Sequence, residues 1–190
     1  MAIRVEVYTI GGMASGILSR SEPLREILAS DGRLQLDRAT WQALDDPSPR
    51  SAGTVAIASD DIMFAVADEE PGIPVHAAWH HVLLDSGPYT LEGDLATMPG
   101  FDPGRSLARP TGEFVLLRDV RLSLHDRPEA GAVVGNHALV NRYAVERISA
   151  DLMLGFFFPG AVMGTSSGGV GSPGGSVTSG FRSAQPVGAA

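Results

Sequence analysis

Two stretches of this chain decide the fold: Glu113-Phe-Val-Leu-Leu-Arg-Asp-Val-Arg-Leu-Ser-Leu124 and Arg33-Leu-Gln-Leu-Asp-Arg-Ala-Thr-Trp-Gln-Ala-Leu44. Each stretch follows a glycine and carries an arginine near its centre. Apolar residues occupy mostly alternate positions, which is the pattern of a strand with one buried face. Two such strands in similar surroundings indicate a β-unit that is present twice.

The other elements repeat in the same order in the two halves of the chain. Each half reads as a strand, a turn, a strand that contains a glycine (Gly16 or Gly93), a connection, the long strand, a loop and a short hairpin. A short helix over residues 21–29 is predicted in the first connection. We therefore predict an all-β protein with one or two short helices, built as two tandem small five-stranded antiparallel barrels over residues 1–72 and 75–150.

An apolar segment, residues 151–163, follows the second unit. Residues 152–163 carry no charge, but a dozen residues are too few for a spanning helix, which needs about 20. The segment is therefore either buried within the fold or docked on a partner protein or a membrane surface. The residues that would make such a contact are Met153, Phe156, Phe157 and Phe158. Residues 164–190 are rich in glycine and serine, and we predict that they form a disordered tail.

The composition excludes several kinds of chemistry. The chain has no cysteine, which rules out disulfides, thiol nucleophiles and thiolate metal sites. All 14 basic residues are arginine, so Schiff-base lysines and the lysine of a phosphate-binding loop are also absent. The net charge of −8 makes a nucleic-acid partner unfavourable. Glu6 lies where a signal peptide would need its apolar core, so we expect a cytoplasmic protein.

Three histidines form the densest group of metal-type ligands: His76, His80 and His81. On a helix, His76 and His80 would share a face, as paired zinc ligands do. Residues 75–84 read better as a strand, in which these two positions lie about 13 Å apart. Surface or interface histidines are the favoured interpretation, and a metal-dependent enzyme that uses the three residues is the alternative. We predict no cofactor.

The glycine of each half and the long strand after it resemble the first motif of the Sm-like small β-barrel family. The matching residues are Gly16-Ile-Leu18 with Leu34–Ala39, and Gly93-Asp-Leu95 with Phe114–Val120. The strand, tight polar turn and strand at residues 55–64 and 138–145 are similar to the second motif of that family. The resemblance implies a curved five-stranded sheet and a tendency to join sheet edges with other copies.

Several departures from the family pattern concern its RNA-binding residues. The asparagine that binds a base in the first motif is missing, and Ala58-Ser59 and Asn141-Arg142 replace the Arg-Gly pair of the second motif. The helix lies between the second and third strands, whereas the family has it before the first. The RNA-binding residues are therefore not carried over, and an atypical RNA-binding module remains an alternative. We expect a non-catalytic binding or scaffold protein, acting as a homo-oligomer or on a protein partner through its exposed sheet edges.

Overall fold

A computed structural model describes residues 2–19, 22–30, 32–46, 48–69, 72, 76–97, 112–126, 133–150, 154 and 157–164, with residues 133 and 134 described by their backbone alone. In these ranges the chain forms eleven strands, one α-helix and one turn of 3-10 helix. The elements are β1 Ile3–Thr9, β2 Gly12–Leu18, α1 Leu24–Ser30, β3 Arg33–Ala43, β4 Arg50–Ala58, the 3-10 turn Ser59–Asp61, β5 Phe64–Ala67, β6 Ala78–Ser86, β7 Tyr89–Thr97, β8 Phe114–Leu124, β9 Val133–Asn141, β10 Arg147–Ala150 and β11 Val162–Gly164.

All eleven strands belong to one open sheet, in the order β11-β10-β6-β7-β8-β9-β5-β1-β2-β3-β4. The first half contributes β5-β1-β2-β3-β4 and the second contributes β10-β6-β7-β8-β9, so the relative order of five strands is the same in both. The halves meet where β5 pairs antiparallel with β9. The predicted all-β class with a short helix is confirmed. Because the strands form a single continuous sheet, closure of each half into a barrel stays a prediction.

A glycine allows close strand contact at the same place in each half. A Cβ atom on Gly16 would lie 2.9 Å from the Cβ of Leu36, and one on Gly93 would lie 2.9 Å from the carbonyl oxygen of Arg118. Both distances are shorter than side chains normally allow, so each position requires a glycine. The register of β2 with β3, and that of β7 with β8, shifts at these glycines.

The long strand opposite each glycine contains a residue in the left-handed region. Arg38 in β3 has φ 49° and Asp119 in β8 has φ 51°. A register shift with a left-handed residue is a β-bulge, which bends the strand and increases its twist. The sheet of each half is therefore bent at the same point.

Each half has its own hydrophobic core. The first core contains the apolar face of α1, formed by Leu24, Ile27 and Leu28, packed against the strands of the first half. The second core is built on β6 to β10 and the segment around Phe158. A few side chains cross the junction: Tyr8 and Phe64 enter the second core, whereas Phe114, Leu116 and Leu139 enter the first. These side chains pack the two halves against each other.

Two predicted boundaries are wrong. The polar run of residues 45–53 predicts the loop that follows the first long strand, but β4 begins at Arg50 because Arg50 and Ser51 pair with β3. Gly164, placed in the predicted tail, instead ends β11. The rest of the predicted tail, residues 165–190, and the second connection, residues 98–111, lie outside the described residues.

Candidate interaction surface

The apolar segment contributes to the second core. Leu154, Phe157 and Phe158 are buried, with exposed fractions of 0%, 5% and 0%. The backbone N–H of Phe157 donates to the carbonyl of Leu154 at 2.9 Å, and the three side chains pack in the second core. Phe157 and Phe158 therefore offer no surface to a partner in this conformation. Met153 and Phe156 lie outside the described residues. Within the described ranges, the chain has no helix of the length and apolar content needed to cross a membrane.

The three predicted histidines do not converge on one site. His80 and His81 are neighbours on β6 and point to opposite faces, since side chains alternate along a strand. The Nε2 atom of His80 lies 3.0 Å from a threonine hydroxyl of β7. His81 is exposed and lies 3.4 Å from carboxylate oxygens of Glu92 and Asp94. His76 is exposed in a turn before β6. Among the residues that the structure describes, no group of three or more ligands suits a metal ion.

A cleft of about 760 Å³ lies at the junction of the two halves, between β1 and β5 on one side and β8 and β9 on the other. Arg4 and Arg118 both line the cleft, and Arg118 stacks on Trp79 with the guanidinium carbon 4.0 Å from the ring centroid. The same guanidinium donates to Asp94 at 3.2 Å and lies 3.5 Å from Asp119. Burial lowers the pKa of His137 in this cleft, and nearby Glu69 opposes that shift. The cleft is open, and the guanidinium of Arg118 is already held by carboxylates of the same chain.

The junction itself is a sheet-edge contact. Phe64 pairs with Val140, and Ala65 pairs with Leu139, so β5 of the first half pairs with β9 of the second. All four residues are buried. The junction therefore combines a backbone ladder with apolar side chains from both halves.

An aromatic cluster closes the junction. The ring of Phe64 stacks on Tyr8, with ring centroids 4.3 Å apart, and meets Tyr89 edge-on at 5.2 Å. The hydroxyl of Tyr89 donates to the carbonyl of Thr9 in the other half at 3.1 Å. Burial raises the pKa of Tyr89 to about 12. Burial, and then the nearby carboxylate of Glu6, raises the pKa of Tyr8 as well. Both phenols therefore stay neutral at physiological pH and serve as packing and hydrogen-bonding groups.

Strand β4 is the exposed end of the sheet. In the described part of the chain it pairs with β3 on one side, and its other side has no strand partner. Residues 51–58 contain neither a charged side chain nor a proline, which are the usual means of protecting an edge strand. Residues 50–54 are all exposed, as is Ala56. Among the described strands, β4 is therefore the candidate edge for pairing with another strand.

The opposite end of the sheet is different, because β11 covers β10. Three residues of β11 pair in parallel with β10, whereas the other strand pairs of the sheet are antiparallel. The residue pattern does not predict this strand, since three residues are too few to show a periodicity.

Comparison of the chain with protein-family models, with curated proteins and with solved structures finds no match.

Proposed function

We propose that this chain is a non-catalytic scaffold protein, built from two tandem small β-barrels, that assembles by pairing the edges of its sheet with those of other copies. The observation that carries the proposal is the β5–β9 junction, in which the two halves of one chain already join edge to edge. Support for the barrels comes from the separate core of each half and from the bend at Gly16 and at Gly93.

The equivalent strands of the two halves indicate how a second copy would pair. In the order of strands across the sheet, β10 and β9 lie at the two sides of the second half. They are equivalent to β5 and β4, which lie at the two sides of the first half. The junction within one chain pairs β9 with β5. The matching pair between two copies is β4 of one with β10 of the other. Such a contact is head-to-tail, so it extends until a ring closes or a filament grows.

The side chains of β4 suit this contact. Antiparallel pairing satisfies the free backbone groups of an edge strand and places alternate side chains in contact with the neighbouring strand. Ala56 lies within residues 51–58, which carry no charge, and its side chain is small and exposed. A partner strand would therefore find no repulsive group on this edge.

The experiment is size-exclusion chromatography with light scattering over a range of concentrations, from micromolar to millimolar. Wild-type protein should rise above the monomer mass of 19.9 kDa as concentration increases. Ala56→Lys places a charge on the edge and should hold the mass at that of the monomer. Gln35→Lys is the matched control, because Gln35 is exposed and pairs with Ala56 but lies one strand inward.

The control variant should follow the wild type. The proposal is contradicted if Ala56→Lys associates as strongly as the wild type, because the contact would then use another surface. A wild-type mass that stays at 19.9 kDa at millimolar concentration would contradict it as well.

A further inference from the structure

Strand β11 is held on the sheet mainly by its backbone. Val162 and Met163 have exposed fractions of 65% and 41%, so their side chains bury little apolar surface. The N–H of Val162 donates to the carbonyl oxygen of Glu146 at 2.7 Å. A three-residue ladder with exposed side chains is a weak attachment compared with the buried β5–β9 junction.

The glycines of β2 and β7 align the two halves residue by residue. Val5 lies opposite Gly16, and Val82 lies opposite Gly93, which makes the two valines equivalent. The same alignment extends along β1 and β6.

This alignment identifies the residues of β10 that match the junction. Ala65 and Ile148 each pair with the first-strand residue two positions beyond the aligned valine. Ala65 is therefore equivalent to Ile148, and Phe64 is equivalent to Arg147.

Strand β11 occupies these same positions. Phe64 and Ala65 are the residues through which β5 pairs with β9, whereas their equivalents Arg147 and Ile148 pair with β11. We propose that β11 is an edge cap, which competes with β4 of a second copy for the side of β10 that does not pair with β6. The inference rests on the proposed function and adds a control to it: assembly requires that β11 leave the sheet.

The incoming strand would place known residues opposite β10. Ile57 pairs with Leu34 of β3, and Val140 pairs with Val115, the equivalent residue of β8. Ile57 is therefore equivalent to Val140, and Ala56 is equivalent to Leu139. In the contact between copies, Ile57 would therefore face Arg147, and Ala56 would face Ile148. An antiparallel ladder equivalent to that of the β5–β9 junction would replace the parallel ladder of β11.

Two substitutions in β11 weaken the cap and leave the sequences of β4 and β10 unchanged. Val162→Pro removes the N–H that donates to Glu146. Gly164→Val acts in another way, because a Cβ atom at this position would collide with the hydroxyl of Ser149. Val162→Thr keeps the backbone donor and the β-branched shape and is the control for the proline variant.

Light scattering measures the effect on assembly. Val162→Pro and Gly164→Val should each lower the concentration at half-association on the order of tenfold, which matches the loss of about one hydrogen bond. Val162→Thr should leave it within about twofold of the wild-type value. Circular dichroism and thermal melting should show that each variant keeps the sheet.

A mixing experiment tests which edges meet. The double variant Val162→Pro/Ala56→Lys has an open β10 and a blocked β4, so it should stay monomeric alone. Wild-type protein carries an intact β4 and should form a one-to-one complex with the double variant at concentrations where each alone is monomeric. The complex should be lost when Ala56→Lys replaces the wild-type partner.

The outcomes separate the cap from the proposed function. If the wild type assembles in a manner that Ala56→Lys abolishes, but neither cap variant strengthens assembly, then the cap is wrong and the edge contact stands. If the double variant associates alone, or fails to bind the wild type, then β10 is not the acceptor of β4. If the cap variants assemble equally well with Ala56→Lys, the edge contact itself is wrong.

Discussion

Replacing Phe158 by alanine tests whether the apolar segment belongs to the second core. The Phe158 side chain is completely buried among residues of β6 to β10. A phenylalanine buries about 150–250 Å², and burial contributes about 25 cal/mol per Å². Alanine loses most of that surface and leaves a cavity, so the free energy of unfolding should fall by about 3 to 5 kcal/mol.

Urea denaturation followed by circular dichroism measures this loss. Ile10→Ala is the control, because Ile10 is a large apolar residue with an exposed fraction of 72%. Its substitution should change the free energy of unfolding by less than about 0.5 kcal/mol. A loss below about 1 kcal/mol for Phe158→Ala would contradict the packing of Phe158 in the second core and would favour a docking peptide for this segment.

Three further outcomes are expected, all measured by urea denaturation. Gly16→Ala and Gly93→Ala should each cost about 1 to 3 kcal/mol, because the new methyl group meets backbone or Cβ atoms of the long strand. Gly72→Ala meets no atom within 4 Å and should be nearly neutral; equal effects at the three positions would show that the close approach is absent. Tyr89→Phe removes the hydrogen bond between the halves and should cost about 0.5 to 1.5 kcal/mol, and an unchanged stability would mean that this bond contributes nothing. Burial lowers the pKa of His137, so the unfolded chain binds more protons than the folded one near pH 6. The stability that the neutral His137 gives is complete above its unfolded pKa of about 6.5 and is lost as the pH falls below it. His137→Gln should remove that part of the pH dependence, and identical profiles for the two proteins would contradict the shift.

The alternating pattern was sufficient to predict the strands that form the main part of each half. Both long strands begin within one residue of the predicted position and end within one residue of it, because their apolar residues alternate over eleven positions. The helix was also predictable, since Leu24, Ile27 and Leu28 fall on one face and are buried together. These signals are local, so a single sequence carries them.

Other features depend on contacts that a single sequence does not show. Residues 50–53 are small or polar and read as a loop, yet pairing with β3 makes them a strand. The burial of Phe157 and Phe158 depends on contacts with the strands of the second half, which the run of apolar residues does not reveal. The absence of charge on residues 51–58 is visible in the sequence, but its importance appears only when β4 is known to be the end of the sheet.

The pairing at the junction was also beyond the reach of the sequence. The repeat predicted two similar units, but the choice of edges by which they join depends on the order of strands in the sheet. That order follows from long-range pairing, such as Phe64 with Val140, between residues far apart in the chain. The membrane contact considered for residues 152–163 remains a prediction for the part of that segment outside the described residues.

The most direct test is amide hydrogen exchange on the wild-type protein, measured at low and at high concentration. The account expects opposite changes at the two ends of the sheet as copies associate. The amides of β4, residues 50–58, should exchange more slowly, and those of β11, residues 162–164, should exchange faster. The mass of the particle could instead rise while the amides of β4 and β10 exchange no more slowly. That result would show that copies meet elsewhere, and the edge-pairing account would be wrong.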